Sequence, residues 1–286
     1  MAQRLDVVPL DAPLGAEIVG VDPGARLSGE AVDAIASALH RHHALVFRGP
    51  STPRPSARLV EFAQRFGEVF RFYEEGTEPG FPEILCISNV EQDGRPIGIT
   101  GTMELPWHTD YGNHPLPAKE SFLEAVEVPG GEAAATSFVD MYDAWETLSA
   151  PLRRAIDGRC ALHRVKTEYD LDDAINRKSQ AQRNAIQTAH PIAVRHPDTG
   201  RVALYVSPVE STEIVGLPDD EAREIFAAIF AHVLRPEKIY RHAWTRGDLV
   251  VFDAIGTMHH REAFAADQRR RMKQLSTRCP APPAAA

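Results

Sequence analysis

The chain has 286 residues, 43% hydrophobic and 25% charged, with a formal net charge of −9 and a pI near 5.7. This fits a globular protein with a substantial core, and the acidic balance argues against nucleic acid or another polyanion as partner. Three widely spaced cysteines (Cys86, Cys160, Cys279) without a C-x-x-C exclude a disulfide framework or structural zinc; with no apolar signal segment at Met1–Asp6 and no apolar run near about 18 residues, a cytoplasmic protein with no membrane partner is expected.

In chain order, residues 15–21 alternate enough to predict an early strand. Ser28 to His43 reads as a helix: Ser28 can cap it and Glu30 places a negative charge in the first turn, although Ala31 leaves the capping box incomplete. Ala44–Phe47 predicts a buried strand ending at Gly49-Pro50, Ser56 to Phe66 a helix, and Ile84–Ser88 another strand. Ser121–Val126 predicts a strand that ends at Pro129-Gly130-Gly131. Short helices are expected at Met141–Leu148 and Ala150–Ile156, and a strand at Val202–Val206. Asp219–Leu234 is amphipathic, with Ile225, Ala228, Ile229 and Val233 along one side. Asp248–Asp253 and Leu275–Thr277 predict strands beside the candidate site, and the Pro/Ala-rich residues 280–286 predict a disordered tail. The pattern predicts a β-rich α+β fold in one domain over residues 1–279. A double-stranded β-helix (jelly roll) with flanking helices is one solution that leaves a mouth for a ligand.

Two imidazoles and a carboxylate, His108, Asp110 and His259, are a candidate metal-binding face of the kind that holds non-haem Fe(II) and leaves positions open. On an extended segment His108 and Asp110 share a face, and Thr109 points away. His259 lies 151 residues beyond His108 (259 − 108) and follows the apolar run Leu249–Phe252. An H-x-D tripeptide alone marks little, because with twelve histidines a surface pair or capped turn accounts for it equally well. His260 rivals His259, and on an extended chain only one of them can face the site. His114 reads as a supporting or surface residue. Zinc would accept similar donors, although no H-E-x-x-H is present.

Further pieces stand in a fixed order around these residues: Gly15–Val21, Phe62–Glu68, Trp107-His108-Thr109-Asp110, Thr136 with Tyr142–Trp145, His190-Pro191, Thr199–Arg201, Leu204–Val206, Ile214–Leu217, and Trp244–Leu249 with Asp253 and His259. In that order they resemble the TauD/TfdA family of Fe(II)- and 2-oxoglutarate-dependent dioxygenases, from about residue 4 to 278. The resemblance implies iron on His108, Asp110 and His259. It also implies that Thr136 (26 residues after Asp110) and Arg270 (11 after His259) hold the distal carboxylate of 2-oxoglutarate. A guanidinium suits this task because it grips a carboxylate through two parallel hydrogen bonds. Strand alternation favours Arg270 over Arg269 and Arg271. The family's Gly-Gly-Asp-Thr is replaced by residues 130–136, read as a small insertion that keeps Thr136 in register; without it Ala133 takes the position. Phe72 and Gln274 stand where taurine enzymes carry a His and an Arg, so taurine is not expected as substrate. Ala254 replaces an Asn of the family.

The chemistry implied is hydroxylation, desaturation or oxidative cleavage, with succinate and carbon dioxide as co-products. Halogenation is disfavoured, since related halogenases lack the carboxylate that Asp110 supplies. Phe72, Tyr73, Asn89, Tyr111 and Tyr205 are candidate pocket residues with Gln274, although core packing accounts equally well for each aromatic. Arg261 joins them through an H-x-R-x-x-F stretch similar to that of carbapenem-synthase-like relatives, with a surface salt bridge as its alternative. The expected partners are molecular oxygen and a small organic acid, amino acid or natural-product intermediate. A homo-oligomer, dimer or tetramer, is expected by family analogy. Two rival readings are a zinc-dependent hydrolase and a non-catalytic cupin-like binding protein.

Overall fold

The computed structural model describes residues 4–50, 52–72, 76–129, 133–164 and 187–286. It is a sheet-rich mixed α/β fold with few helices. The larger sheet orders its main strands as Asp6–Pro9, Ala16–Val19, Ala44–Phe47, Leu249–Asp253, Ala118–Glu127, Arg271–Arg278, Phe81–Ser88 and Thr77–Glu78, with Ile99–Thr100 beside Phe81–Ser88. The smaller sheet runs Ile239–His242, Thr136–Asp140, Thr257–Arg261, Leu105–His108. All pairings in the smaller sheet are antiparallel, as are the central ones of the larger.

The apolar runs of the larger sheet are continuous because both its faces are covered. Ala44, Val46, Leu123, Val250 and Phe252 point to the smaller sheet and meet Phe138 and Tyr240. Their neighbours Leu45, Phe47, Phe122, Leu249 and Val251 point the other way, onto Ile35, Leu39, Leu59 and Phe62 of two covering helices. Period-two alternation thus builds two cores from one set of strands. A third core gathers around helix Asp219–Val233.

Local chemistry fixes the ends of these elements. Ser28 Oγ accepts the Ala31 N–H (3.2 Å) at the start of helix Gly29–His42, and His43, left-handed at φ 64°, closes it by donating to Leu39 O. The second helix covers Ser56–Ala63 only: the Arg65 and Phe66 N–H groups bond three residues back, so the last turn tightens before Phe66. At Gly247 (φ 89°) an added Cβ would lie 1.9 Å from Pro50 O, so only glycine permits that backbone crossing.

Several expectations need correction. Helix Asp219–Val233 buries Ala222, Phe226, Ile229 and Val233, whereas Ala228 is exposed. The tail is ordered: Ala284–Ala285 pairs with Val194 and Arg195, because the Ala193–Arg195 strand leaves an open edge whose backbone groups a small-residue strand can satisfy. His108 ends its strand, so Asp110 lies in the following turn rather than on the same extended segment. Three of the four strands of the smaller sheet place polar residues on a cavity (His108, Thr136, His259 and Arg261), and this hides them from periodicity. All three cysteines are free, and among the described residues no helix is long and apolar enough to cross a membrane.

Candidate active site

The smaller sheet sets His108 directly opposite His259 in register, and their rings stand 4.0 Å apart between centroids. Asp110 reaches the same point from the turn, with His259 Nε2 at 3.9 Å from Asp110 Oδ1. One donor atom from each of the three residues fits within a 4.8 Å span. His108 Nδ1 lies 2.7 Å from Pro106 O and donates to it, which leaves Nε2 with a free lone pair. Asp110 Oδ2 accepts from Ser121 Oγ (2.5 Å), which is within 2.8 Å of Ser276 Oγ, and Gln274 also hydrogen-bonds the carboxylate. Burial pushes both imidazoles below their usual pKa, His259 well below, so both are held neutral, the form that ligates metal. Burial raises Asp110, a penalty that a bound cation reverses. His260 faces outward, 2.8 Å from Glu104 and stacked on Trp107, so His259 alone of the two faces Asp110.

A second cluster, His40, His196 and Asp198, has comparable spacing among the described residues. There His196 Nδ1 accepts the Asp198 and Thr199 N–H groups (3.2 and 3.3 Å), placing its proton on Nε2, and Lys119 Nζ already sits 2.8 Å from Asp198. That arrangement is an ion-pair network and offers a metal no free lone pair from His196.

A cavity of about 270 Å³ opens from the His108–Asp110–His259 cluster. Arg270 and Thr136 line it. Arg270 is buried, yet its Nε and Nη1 have no partner in the protein. A buried, unpaired guanidinium is costly, and an arriving carboxylate removes the cost. Thr136 Oγ1 accepts from the Trp244 indole N–H (2.9 Å), so its own hydroxyl proton is free to donate. The residues present thus fit a divalent metal and a dicarboxylate together. Arg269 turns outward onto Glu127.

The candidate pocket residues divide. Tyr111, Arg261 and Gln274 line the cavity. Phe72 packs behind Tyr111 at 5.6 Å, as part of a stack with Phe70, and is not among the lining residues. Tyr205 is fully buried against His163, and Asn89 spends its amide on backbone. Tyr73 lies outside the described residues. The walls are mainly aliphatic (Leu85, Ile87, Ile99, Leu105, Leu123, Val209) rather than aromatic. Arg261 shares the His259 side of its strand, and its Nη atoms bond the carbonyls of Thr100, Gly101 and Met103 while Nε is unpartnered. Arg261 is thus buried, not paired with Glu262, which takes Arg241 instead. Sequence reasoning missed Ser121, Ser276, Glu210 and Trp244 in supporting roles. Glu210 receives Thr109 Oγ1 at 3.1 Å behind the turn, and burial pushes it up to about 7. A Cβ on Gly112 would come within 2.6 Å of its Oε2 and 2.7 Å of Thr109 Oγ1, so a side chain there would displace this pair. Only Trp244 carried a signal, its place in the Trp-Thr-Arg-Gly-Asp run.

The chain is 36% identical to pentalenolactone F synthase of Streptomyces arenae over 95% of this chain and 94% of that protein. It is 29% identical to the alpha-ketoglutarate-dependent 2,4-dichlorophenoxyacetate dioxygenase of Cupriavidus pinatubonensis, over 94% and 96% of the two chains. Its fold matches the crystal structure of a taurine dioxygenase from Burkholderia xenovorans with a TM-score of 0.79, 29% identity, and coverage of 97% and 90%. The profile of the family described as taurine catabolism dioxygenase TauD, TfdA family matches residues 6–276. With that match spanning nearly its whole length, the chain belongs to the TauD/TfdA family of dioxygenases.

Proposed function

We propose that this protein is an Fe(II)- and 2-oxoglutarate-dependent dioxygenase that hydroxylates, desaturates or oxidatively cleaves a small organic substrate. The observation that carries this reading is the sharing of one cavity by the His108–Asp110–His259 cluster and the unpaired guanidinium of Arg270. His108, Asp110 and His259 hold the iron. Arg270 and Thr136 hold the distal carboxylate of 2-oxoglutarate, which orients the cosubstrate toward the metal. Together, bound iron and 2-oxoglutarate supply the oxidising chemistry, in which oxygen is consumed and succinate and carbon dioxide are released. Ser121 and Gln274 keep Asp110 oriented, and the aliphatic walls exclude water from the reacting C–H bond. The relatives' printed alpha-ketoglutarate-dependent activities support this reading over a zinc hydrolase or a passive binding site. The two facing sheets form the double-stranded β-helix of this reading.

The substrate is a small, largely aliphatic organic acid, amino acid or natural-product intermediate. Support comes from the lining side chains, from the unpartnered Nε of Arg261, which can meet an acceptor on the substrate, and from the relatives' printed activities. Taurine does not fit, since Gln274 is neutral and committed to Asp110.

Anaerobic titration of Fe(II)-loaded protein with 2-oxoglutarate tests the cosubstrate. A weak visible charge-transfer band is expected, and it should weaken in Arg270→Ala. Iron-bound protein that shows no band overturns the reading. Succinate release in a substrate screen tests the substrate class, and a response to taurine alone would overturn the aliphatic assignment.

A further inference from the structure

Arg270 stands one residue before strand Arg271–Arg278, at the point where regular pairing with Phe81–Ser88 ends at Arg271 opposite Ser88. Its guanidinium has no protein partner at Nε or Nη1, so its aim depends on where the backbone delivers its Cα. Just upstream the chain turns, with the Gln268 N–H bonded to Ala265 O. A backbone leaving a turn at the edge of a ladder would be loosely held without further contacts.

Asn89, the residue after Ser88, supplies those contacts. Its Oδ1 accepts the Arg270 N–H (2.8 Å), its Nδ2 donates to Gln268 O (2.8 Å), and its own N–H donates to Arg270 O (3.2 Å). The side-chain amide thus acts as an extra peptide unit that extends the ladder past the strand's end. On the other side, Ser88 Oγ accepts the Val90 N–H (2.9 Å), which shapes the bend that turns Asn89 toward residues 268–270. With acceptor and donor both engaged, and the residue outside the cavity lining, the amide is not turned to the substrate.

We propose that Asn89 is a positioning residue for the cosubstrate-binding arginine: it fixes the Arg270 backbone so that the guanidinium meets 2-oxoglutarate, and it does not recognise the substrate. This rests on the proposed use of 2-oxoglutarate. Asn89→Ala should weaken 2-oxoglutarate binding to Mn(II)-loaded protein by roughly tenfold in calorimetry, the low end for partners that orient a binding group. The KM for 2-oxoglutarate should rise, while kcat at saturation is held. In metal-free protein, hydrogen exchange at the Arg270 amide should accelerate, a readout independent of turnover. Asn89→Asp keeps the Oδ1 acceptor and should keep that amide protected; it also serves if the alanine variant does not fold.

Two results overturn the proposal. One is unchanged Arg270 exchange and unchanged 2-oxoglutarate affinity in Asn89→Ala. The other is a raised KM for the organic substrate alone, which makes Asn89 a substrate contact. If wild-type protein binds no 2-oxoglutarate, the functional reading fails, and the exchange measurement still decides whether Asn89 holds Arg270.

Discussion

At the scale of single residues, the site is built from groups whose partners leave one function free. Pro106 O occupies one nitrogen of His108, so the other is available to a metal. The Trp244 indole proton occupies an oxygen lone pair of Thr136, so the hydroxyl proton is available to a carboxylate. Trp244→Phe keeps an aromatic ring at this buried position and removes the N–H together with part of the indole. It should therefore weaken 2-oxoglutarate binding several-fold without a comparable loss of metal affinity, as checked by separate titrations of metal and cosubstrate. Equal affinity in the two proteins would show that the indole proton does not orient Thr136. The residue types His, Asp, Thr and Arg were legible in the sequence because their spacing follows a family pattern. Ser121 and Ser276 were not, since a serine in an apolar strand reads as ordinary until its partner across the ladder is known.

At the scale of elements, strand Thr136–Asp140 organises the smaller sheet. It pairs Thr136 with Arg261 and Phe138 with His259, so register sets the spacing of the proposed cosubstrate, metal and substrate groups that these two strands carry. Phe138 is fully buried, with its ring 5.2 Å from Phe252 and stacked at 6.0 Å on His259. Phe138→Ala should destabilise the protein by about 3–5 kcal/mol through lost burial and the cavity left behind. Metal affinity should fall as well, because the His259 ring loses a wall. Chemical denaturation and metal titration measure the two effects, and a stability loss with intact metal affinity would show that the ring is held by other contacts. The helices were predictable from their apolar period, and the central strands from their short continuous apolar runs. The smaller sheet was not, because three of its four strands place polar residues on a cavity that only the closed fold creates.

At the scale of the whole molecule, buried titratable groups oppose one another. Burial pushes Glu120 up to about 7, although Lys119 and Thr277 partly compensate by favouring its charged form. Its folded-state pKa exceeds the unfolded value, so the folded protein holds the proton longer, and this carboxyl costs stability as pH rises from about 4.5 to 7. His163 works in the other direction: burial, with His190 beside it, pushes it down to about 3, so stability is lost as pH falls below about 6.5. Glu120→Gln should therefore raise the Tm of metal-free protein more at pH 8 than at pH 5, relative to wild type. An equal shift at both pH values would mean that the carboxylate is stabilised fully by Lys119 and Thr277.

What the sequence by itself determined was the family and the elements with a strong apolar period or run, and it singled out His108, Asp110 and His259 as candidate metal ligands and Arg270 and Thr136 as candidate cosubstrate contacts. Each of these depends on residue identity and spacing along the chain. What only the tertiary structure decided was which side chains reach the cavity. Tyr111, Arg261 and Gln274 line it, while Phe72 and Tyr205 are spent on packing and Asn89 on backbone. The order of the Pro/Ala-rich end was also decided there, by a strand edge far away in sequence. The physical reason is common to these cases: a side chain acquires its role from the partner that the folded chain brings to it, and that partner is distant in sequence, more than a hundred residues away for Asn89 with Arg270 and for Trp244 with Thr136.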